Sequence, residues 1–223
     1  EHVGPGGAPG TVEALRCHVH QGAHDVGLGA LVVVEAGQAE VGDPEAVVAG
    51  EHVRRLHVPV EHAGAVGGAE GATLTIESGT RIVGASDVPG SALFILRGAK
   101  IDAQGTADQP IVFTSSKPAG QRAPGDWGGI VIIGNGVINR TPPVLTEGPQ
   151  GFTEDYSGGT DNADNSGTLR YVRVEFAGFG VAPAAELNSF TFAAVGSGTT
   201  IEYVQSMAGL DDSFEWFGGT VNG

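Results

Sequence analysis

A single cysteine, Cys17, leaves the chain without any internal disulfide framework and says nothing about its compartment. Cations are scarce: 11 Lys and Arg stand against 26 Asp and Glu, giving a formal charge of −15. No basic stripe exists that could displace counterions from a phosphate backbone, so nucleic acid is excluded as a partner. Long apolar runs are missing as well. The longest, Leu28 to Val34, falls far short of the roughly 20 residues that a membrane helix needs, so no transmembrane segment is expected. Neither His nor Cys occurs after residue 72, which removes Ser-His-Asp and Cys-His arrangements from that region. No phosphate-cradling glycine loop precedes a helix.

The segment 1–72 lacks Phe, Ile, Lys, Asn, Tyr and Met altogether, whereas the remainder uses all six. These are the amino acids whose codons begin with two A or T bases. Strong G+C bias acting on an unselected reading frame gives that pattern. A genuine Gly/Ala/Val-rich linker, too poor in large side chains to offset chain entropy, gives it too. On either reading, residues 1–72 are a low-complexity N-terminal extension, disordered or not native coding sequence, with no fold-defining core. Cys17, His18, His20 and His24 offer zinc-type ligands within it, but nothing nearby could build the rigid shell that such a site requires. The chain opens on Glu1, with no basic segment followed by an apolar one, and reads as a fragment without its secretion signal.

From Thr73 onward the pattern changes to short β-branched runs punctuated by glycine. Leu74, Ile76, Gly79 and Ile82 recur 19 positions later as Leu93, Ile95, Gly98 and Ile101, and Ile111 and Phe113 match Ile130 and Ile132 at the same offset. A coil of about 19 residues is therefore expected as the repeating unit. Within each run apolar and polar residues alternate, which points one side chain inward and the next outward. Stacked coils about 4.8 Å apart would bury a continuous apolar column, the geometry of a parallel β-helix. The inward set expected is Leu74, Ile76, Leu93, Ile95, Ile101, Ile111, Phe113, Ile130, Ile132, Val172, Val174 and Phe176. Helical periodicity is absent, which excludes a doubly wound sheet. An antiparallel sandwich is the rival, and the constant offset favours coils over hairpins. Gly79 and Gly98 fit corners that need positive φ, and Gly105-Thr106 before Pro110 marks another. The Pro, Gly, Asn and Asp content of residues 118–125 and 139–167 predicts loops that protrude from the coil.

The runs Leu74-Thr75-Ile76-Glu77-Ser78-Gly79-Thr80 and Pro110-Ile111-Val112-Phe113-Thr114-Ser115 resemble the right-handed β-helix repeats of secreted bacterial proteins. More specific are three stretches: Gln121 to Ile130 around Asp126-Trp127-Gly128-Gly129, Asp164 to Gly178, and Asp211 to Gly219 around Phe214-Glu215-Trp216-Phe217. Together they resemble a family of bacterial surface lipoproteins and secreted proteins within the pectin-lyase-like fold group. The resemblance spans residues 73–223. It implies a secreted or cell-surface location and more coils beyond Phe217-Gly218-Gly219, so that a domain cut in mid-stack would self-associate through its open C-terminal rung. It implies no activity, because a shared fold does not license a reaction.

Candidate site residues follow from side-chain chemistry. Asp211, Asp212 and Glu215 are the strongest acidic cluster and could serve as paired carboxylates in glycoside hydrolysis. In an extended segment, however, Asp211 and Glu215 stand about 13 Å apart, beyond the roughly 5 to 10 Å that such mechanisms use. Asp211 and Asp212 could instead coordinate calcium, or simply cap a polar corner. Asp161 and Asp164, with Asn162 and Asn165, resemble a hard-cation loop out of EF-hand register, and Asx-turns explain the same residues. Trp127 and Trp216 could be flat platforms for sugar rings, or could pack into the coil. Arg170 and Arg173 could supply the basic group that a lyase needs near bound uronate, but are expected on the solvent side of a rung, paired across rungs with Glu175 or Glu202.

The sequence thus predicts an all-β, right-handed parallel β-helix over residues 73–223. Its expected function is non-enzymatic binding of extracellular glycan or another polymer, with Trp127, Trp216 and Glu215 as ligand contacts. The alternatives are a calcium-assisted polysaccharide lyase or glycoside hydrolase, with Asp161, Asp164, Asp211 and Asp212 as metal ligands, and a purely structural surface protein. No cofactor other than calcium is suggested.

Overall fold

The computed structural model describes residues 73–149 and 153–223 in full, together with the backbone of two short strands, Val32–Val34 (β1) and Ala65–Gly67 (β2). The low-complexity reading of residues 1–72, and the Cys17-His18-His20-His24 group, lie outside the described residues apart from these two strands. Among the described residues there is no helix, and hence none long and apolar enough to cross a membrane.

The chain winds through three faces. The first holds β3 (Thr73–Ile76), β6 (Lys100–Gln104) and the opening halves of β9 (Gly167–Glu175) and β13 (Thr200–Met207). The second holds β4 (Arg81–Gly84), β7 (Ile111–Ser115) and the closing halves of β9 and β13, with β1 antiparallel against β4. The third stacks β2, β5 (Ala92–Ile95), β8 (Gly129–Ile133), β12 (Phe190–Ala193) and β14 (Phe214–Phe217), all parallel. A short hairpin, β10 (Gly180–Ala182) and β11 (Ala185–Glu186), projects before β12. Parallel register on all three faces makes this a parallel β-helix and removes the sandwich.

The coil is longer than the repeat offset in the sequence. Leu74 pairs with Ile101 rather than Leu93, and Leu93 pairs with Ile130, so each turn takes in more chain than the offset allows. The offset instead joins strands on different faces of the helix: β3 to β5, and β7 to β8. Every strand needs the same short inward apolar pattern, so neighbouring faces mimic a repeat that belongs to the whole turn.

The inward residues form one column, in which Ile82, Leu93, Ile95, Ile101, Ile111, Phe113, Ile130, Ile132, Val172 and Val174 pack together, with Ile76 at its edge and Leu74 partly buried against it. Each such side chain contributes about 1.5–3 kcal/mol on leaving water. Phe176 is the exception. It sits half-buried with φ 59° just past β9 and belongs to a corner rather than the column. Corners are the reason: Tyr171 (φ 47°) turns β9 from the first face to the second, so Leu169 and Val172, three apart rather than two, both point inward. Gly79 (φ 72°) and Gly98 (φ 80°) do occupy positive-φ turns.

The third face is buried on both sides. Every residue of β5, β8 and β12 is buried, because the chain after β8 folds back over the outside and seats Val144 and Tyr156 against Phe94, Val131 and Ile133. Tyr156 N–H donates to the Val144 carbonyl (3.0 Å), and Arg97 Nη2 donates to the Ser157 carbonyl (2.7 Å). The segment expected to protrude is therefore a cover. The uninterrupted runs Ala92-Leu93-Phe94-Ile95 and Gly129-Ile130-Val131-Ile132-Ile133 are what a strand buried on both faces requires.

Candidate functional site

On the third face the register stacks Phe94, Val131, Thr191 and Glu215 into one outward file. Glu215 therefore emerges at its top, beside the turn 208–213. Asn188, buried, ties the two together: its amide Nδ2 donates to Glu215 Oε2, and its Oδ1 accepts from Asp212 N–H (3.1 Å). The Ser189 N–H donates to the Asp212 carbonyl (3.0 Å), and Leu210 N–H to the Ala177 carbonyl (2.9 Å), so the turn is anchored at both ends. β14 begins only at Phe214, which leaves Asp211 and Asp212 in that turn rather than in an extended strand. The separation expected for an extended segment does not apply.

Two side chains that sequence reasoning missed join the group. Glu147 comes from the cover segment and Glu186 from the β10–β11 hairpin. The Glu147 carboxylate accepts the Glu186 backbone N–H. Burial raises its pKa, and the charges of Glu186 and Asp211 add to the rise. Burial also pushes Glu215 up, helped by Glu147, Asp212 and Asp211 and opposed only by the Asn188 bond, to about 7. Every charge acting on Glu215 is negative. No local sequence signal joins Glu147, Glu186 and Asn188 to Glu215.

A stability consequence follows from linkage. The Glu215 pKa of about 7 in the fold compares with an ordinary value of 4.5, so between those pH values the folded chain holds more protons than the unfolded one. Stability therefore falls as pH rises through that window and levels off above it. Glu215→Gln should flatten this part of the profile. Melting temperatures measured in steps from about pH 4 to pH 8 check it, and an unchanged slope in the variant would refute the assignment.

The other predicted residues fare differently. Trp127 is 1% exposed, its Nε1 donates to the Glu175 carbonyl (2.7 Å), and its ring lies 6.4 Å from Phe113, so it is a core residue and not a sugar platform. Trp216 is 49% exposed, but it continues the inward file Ile95–Ile132–Phe192, stacked 5.7 Å from Phe192. It stacks on Phe192 of the column from the last described strand of the third face, with half of its surface exposed. Asp161 Oδ1 accepts Ala163 N–H (2.9 Å), and Asp164 Oδ2 accepts Asn135 N–H (3.1 Å), so both act as loop caps. The calcium reading of Asp161, Asp164, Asp211 and Asp212 gains no donor set. Among the described residues no three His, Cys, Asp or Glu side chains are arranged to hold a metal.

Arg170 pairs with Glu202 across rungs (3.3 Å), while Arg173 pairs with Glu175 further along the same strand (2.6 Å). Glu175 is buried rather than solvated, and its Oε2 accepts from Thr114 Oγ1 (2.8 Å). Nearby, burial pushes the Asp126 carboxyl up, but Lys117 at 2.5 Å, the Ser115 hydroxyl and the Ala123 N–H outweigh it and hold the group below the usual range.

The sequence of residues 61–223 matches one family model, described as a pectate-lyase-like beta helix domain, in keeping with the parallel faces. The chain belongs to that pectate-lyase-like β-helix family. The match begins before Thr73 and takes in β2, which pairs in parallel with β5 as the first rung of the third face. No curated protein and no solved structure matches the chain.

Proposed function

We propose that this member of the family is a secreted or cell-surface binding protein that holds a neutral glycan against the carboxylate shelf formed by Glu215, Asp211, Asp212, Glu147 and Glu186. The observation that carries the reading is the convergence of these groups from four separate segments, with no cation among the charges acting on Glu215 or Glu147. Carboxylates accept hydrogen bonds from sugar hydroxyls, whereas the same field repels a polyuronate. A lyase acting on uronates needs a basic group at the substrate, and among the described residues no Lys or Arg is among the charges acting on Glu215 or Glu147.

Glycoside hydrolysis is the second reading. A carboxyl with a pKa of about 7 is partly protonated at neutral pH and suits a general acid, with Asp211 or Asp212 as its partner. Affinity electrophoresis through gels carrying barley β-glucan, chitosan or polygalacturonate separates these readings, run alongside an assay for new reducing ends. Retardation by β-glucan, weakened about tenfold by Glu215→Gln, with no new reducing ends, is the expected result. Stronger retardation by polygalacturonate would overturn the shelf. Reducing-end release that Glu215→Gln abolishes would establish the hydrolase.

A further inference from the structure

We propose that the β10–β11 hairpin is a movable wall of the shelf, clasped to the cover by Glu147 and Pro149, and that it closes on a bound glycan. Both ends of the hairpin are fixed, and both run directly into the site. At one end Gly178 lies so close to the turn 208–213 that a Cβ there would stand 2.8 Å from the Asp211 nitrogen and 2.9 Å from that of Leu210. At the other end Leu187 is buried, and the next residue, Asn188, holds Glu215 and Asp212. The base is closed by the Phe179 N–H donating to the Trp127 carbonyl (3.2 Å) and the Leu187 N–H donating to the Phe179 carbonyl (3.0 Å). Beyond that base the hairpin pairs with no other described strand, and Ala182, Pro183 and Ala184 are exposed.

Two contacts hold this free part to the cover. The Glu147 carboxylate accepts the Glu186 N–H. Pro149, which is buried, meets Phe179 and Val181 over Gly90: a Cβ on Gly90 would stand 3.0 Å from Pro149 Cβ and 3.5 Å from each of the other two side chains, so the contact forms where a side chain is missing. Set against these contacts is charge of one sign, since Glu147 faces Glu186 and Asp211 with no cation among the charges acting on it. One hydrogen bond and one small apolar contact opposed by repulsion make an element of low local stability. A ligand shifts such an equilibrium only through contacts that it makes in one of the two states. Sugar hydroxyls donate to carboxylates on both walls, Glu147 on one and Glu186 on the other, only while the walls stand together, and those donors also offset the repulsion between them. A neutral glycan therefore favours the closed wall.

The ligand class rests on the glycan reading above. The test is amide hydrogen exchange followed by NMR at Val181 and Glu186, with Val131 in β8 as the reference, in the free protein and with a hexasaccharide cut from barley β-glucan. In the free protein the hairpin amides should exchange at least about tenfold faster than Val131, and the hexasaccharide should slow them. Glu147→Ala should speed Glu186 exchange a further tenfold or about that, whereas Glu147→Gln, whose amide oxygen still accepts, should stay within about threefold of the parent. Val181→Ser leaves every carboxylate in place, yet the hexasaccharide should dissociate from it about threefold or more faster than from the parent. If the Ala and Gln variants exchange alike, Glu147 is not the clasp. A hexasaccharide that binds without slowing the hairpin amides, and that leaves Val181→Ser no faster than the parent, would sink the movable wall and leave the shelf standing. No binding of the hexasaccharide by the parent would sink both.

Discussion

Ile95→Asp is expected to abolish the cooperative unfolding transition of the β-helix. Ile95 is 1% exposed and sits in the file Ile95–Ile132–Phe192–Trp216, which runs up the interior of the third face. Its neighbours in the column are aliphatic and aromatic, so a carboxylate there finds neither a cation nor a hydrogen-bond donor. Burying an unpaired charge costs several kcal/mol even after relaxation, against a total stability of about 5–15 kcal/mol for a typical domain. Ile95→Ala provides the scale: it removes the same contacts without a charge and should cost about 2–5 kcal/mol. Circular dichroism melts of the three proteins decide the matter. Ile95→Asp melting within a few degrees of the parent would mean that Ile95 does not face the interior.

That inward file was legible because a strand's period of two is a local property, visible in Leu74-Thr75-Ile76-Glu77 without knowledge of what stacks on it. The turn of the helix was not legible in the same way. Each face imposes the same apolar spacing, so Leu93 looks like the successor of Leu74, although its strand lies two faces further along the same coil. Register depends on the lengths of the intervening connections, which vary from the short turns between β3 and β4 and between β5 and β6 to the long stretch between β8 and β9. Left-handed corners defeat pattern reading for a related reason. A single residue at positive φ shifts the alternation by one, which moves Phe176 out of the column and brings Leu169 in.

The site was half legible. Glu215, Asp211 and Asp212 stand close in sequence and are recognisable together as acids. Glu147, Glu186 and Asn188 reach the same shelf only because the cover segment and the hairpin fold back across the third face. The tryptophans mislead because a bulky aromatic beside glycines reads equally as an exposed platform or as a plug. Gly84 shows which it is for Trp127: a Cβ there would lie 2.5 Å from the indole ring, so the missing side chain is what lets the ring in.

Trp127→Ala should lower the melting temperature more than any single change at the carboxylate shelf. Its indole is buried and nearly parallel to Phe113 at 6.4 Å, and its Nε1 holds the Glu175 carbonyl at 2.7 Å. Truncation leaves a cavity beside β4 and β7, which Gly84, lacking a side chain, cannot fill, and such losses run to about 3–5 kcal/mol. The Glu175 carbonyl also loses its donor, adding about 1 kcal/mol or more if water does not reach it. Glu175 itself stands between Thr114 and Arg173, so the disturbance spreads to a buried polar network on the second face. For a domain of this size the sum corresponds to a fall on the order of 10 °C. Trp127→Phe, which keeps most of the ring but not the N–H, should lose less than half as much. The surface-platform reading expects the reverse: an alanine variant that melts like the parent but no longer binds glycan. Thermal melts of the two variants, with β-glucan retardation measured on each, separate a core tryptophan from a binding one. A small change in melting temperature together with lost retardation would return Trp127 to the surface.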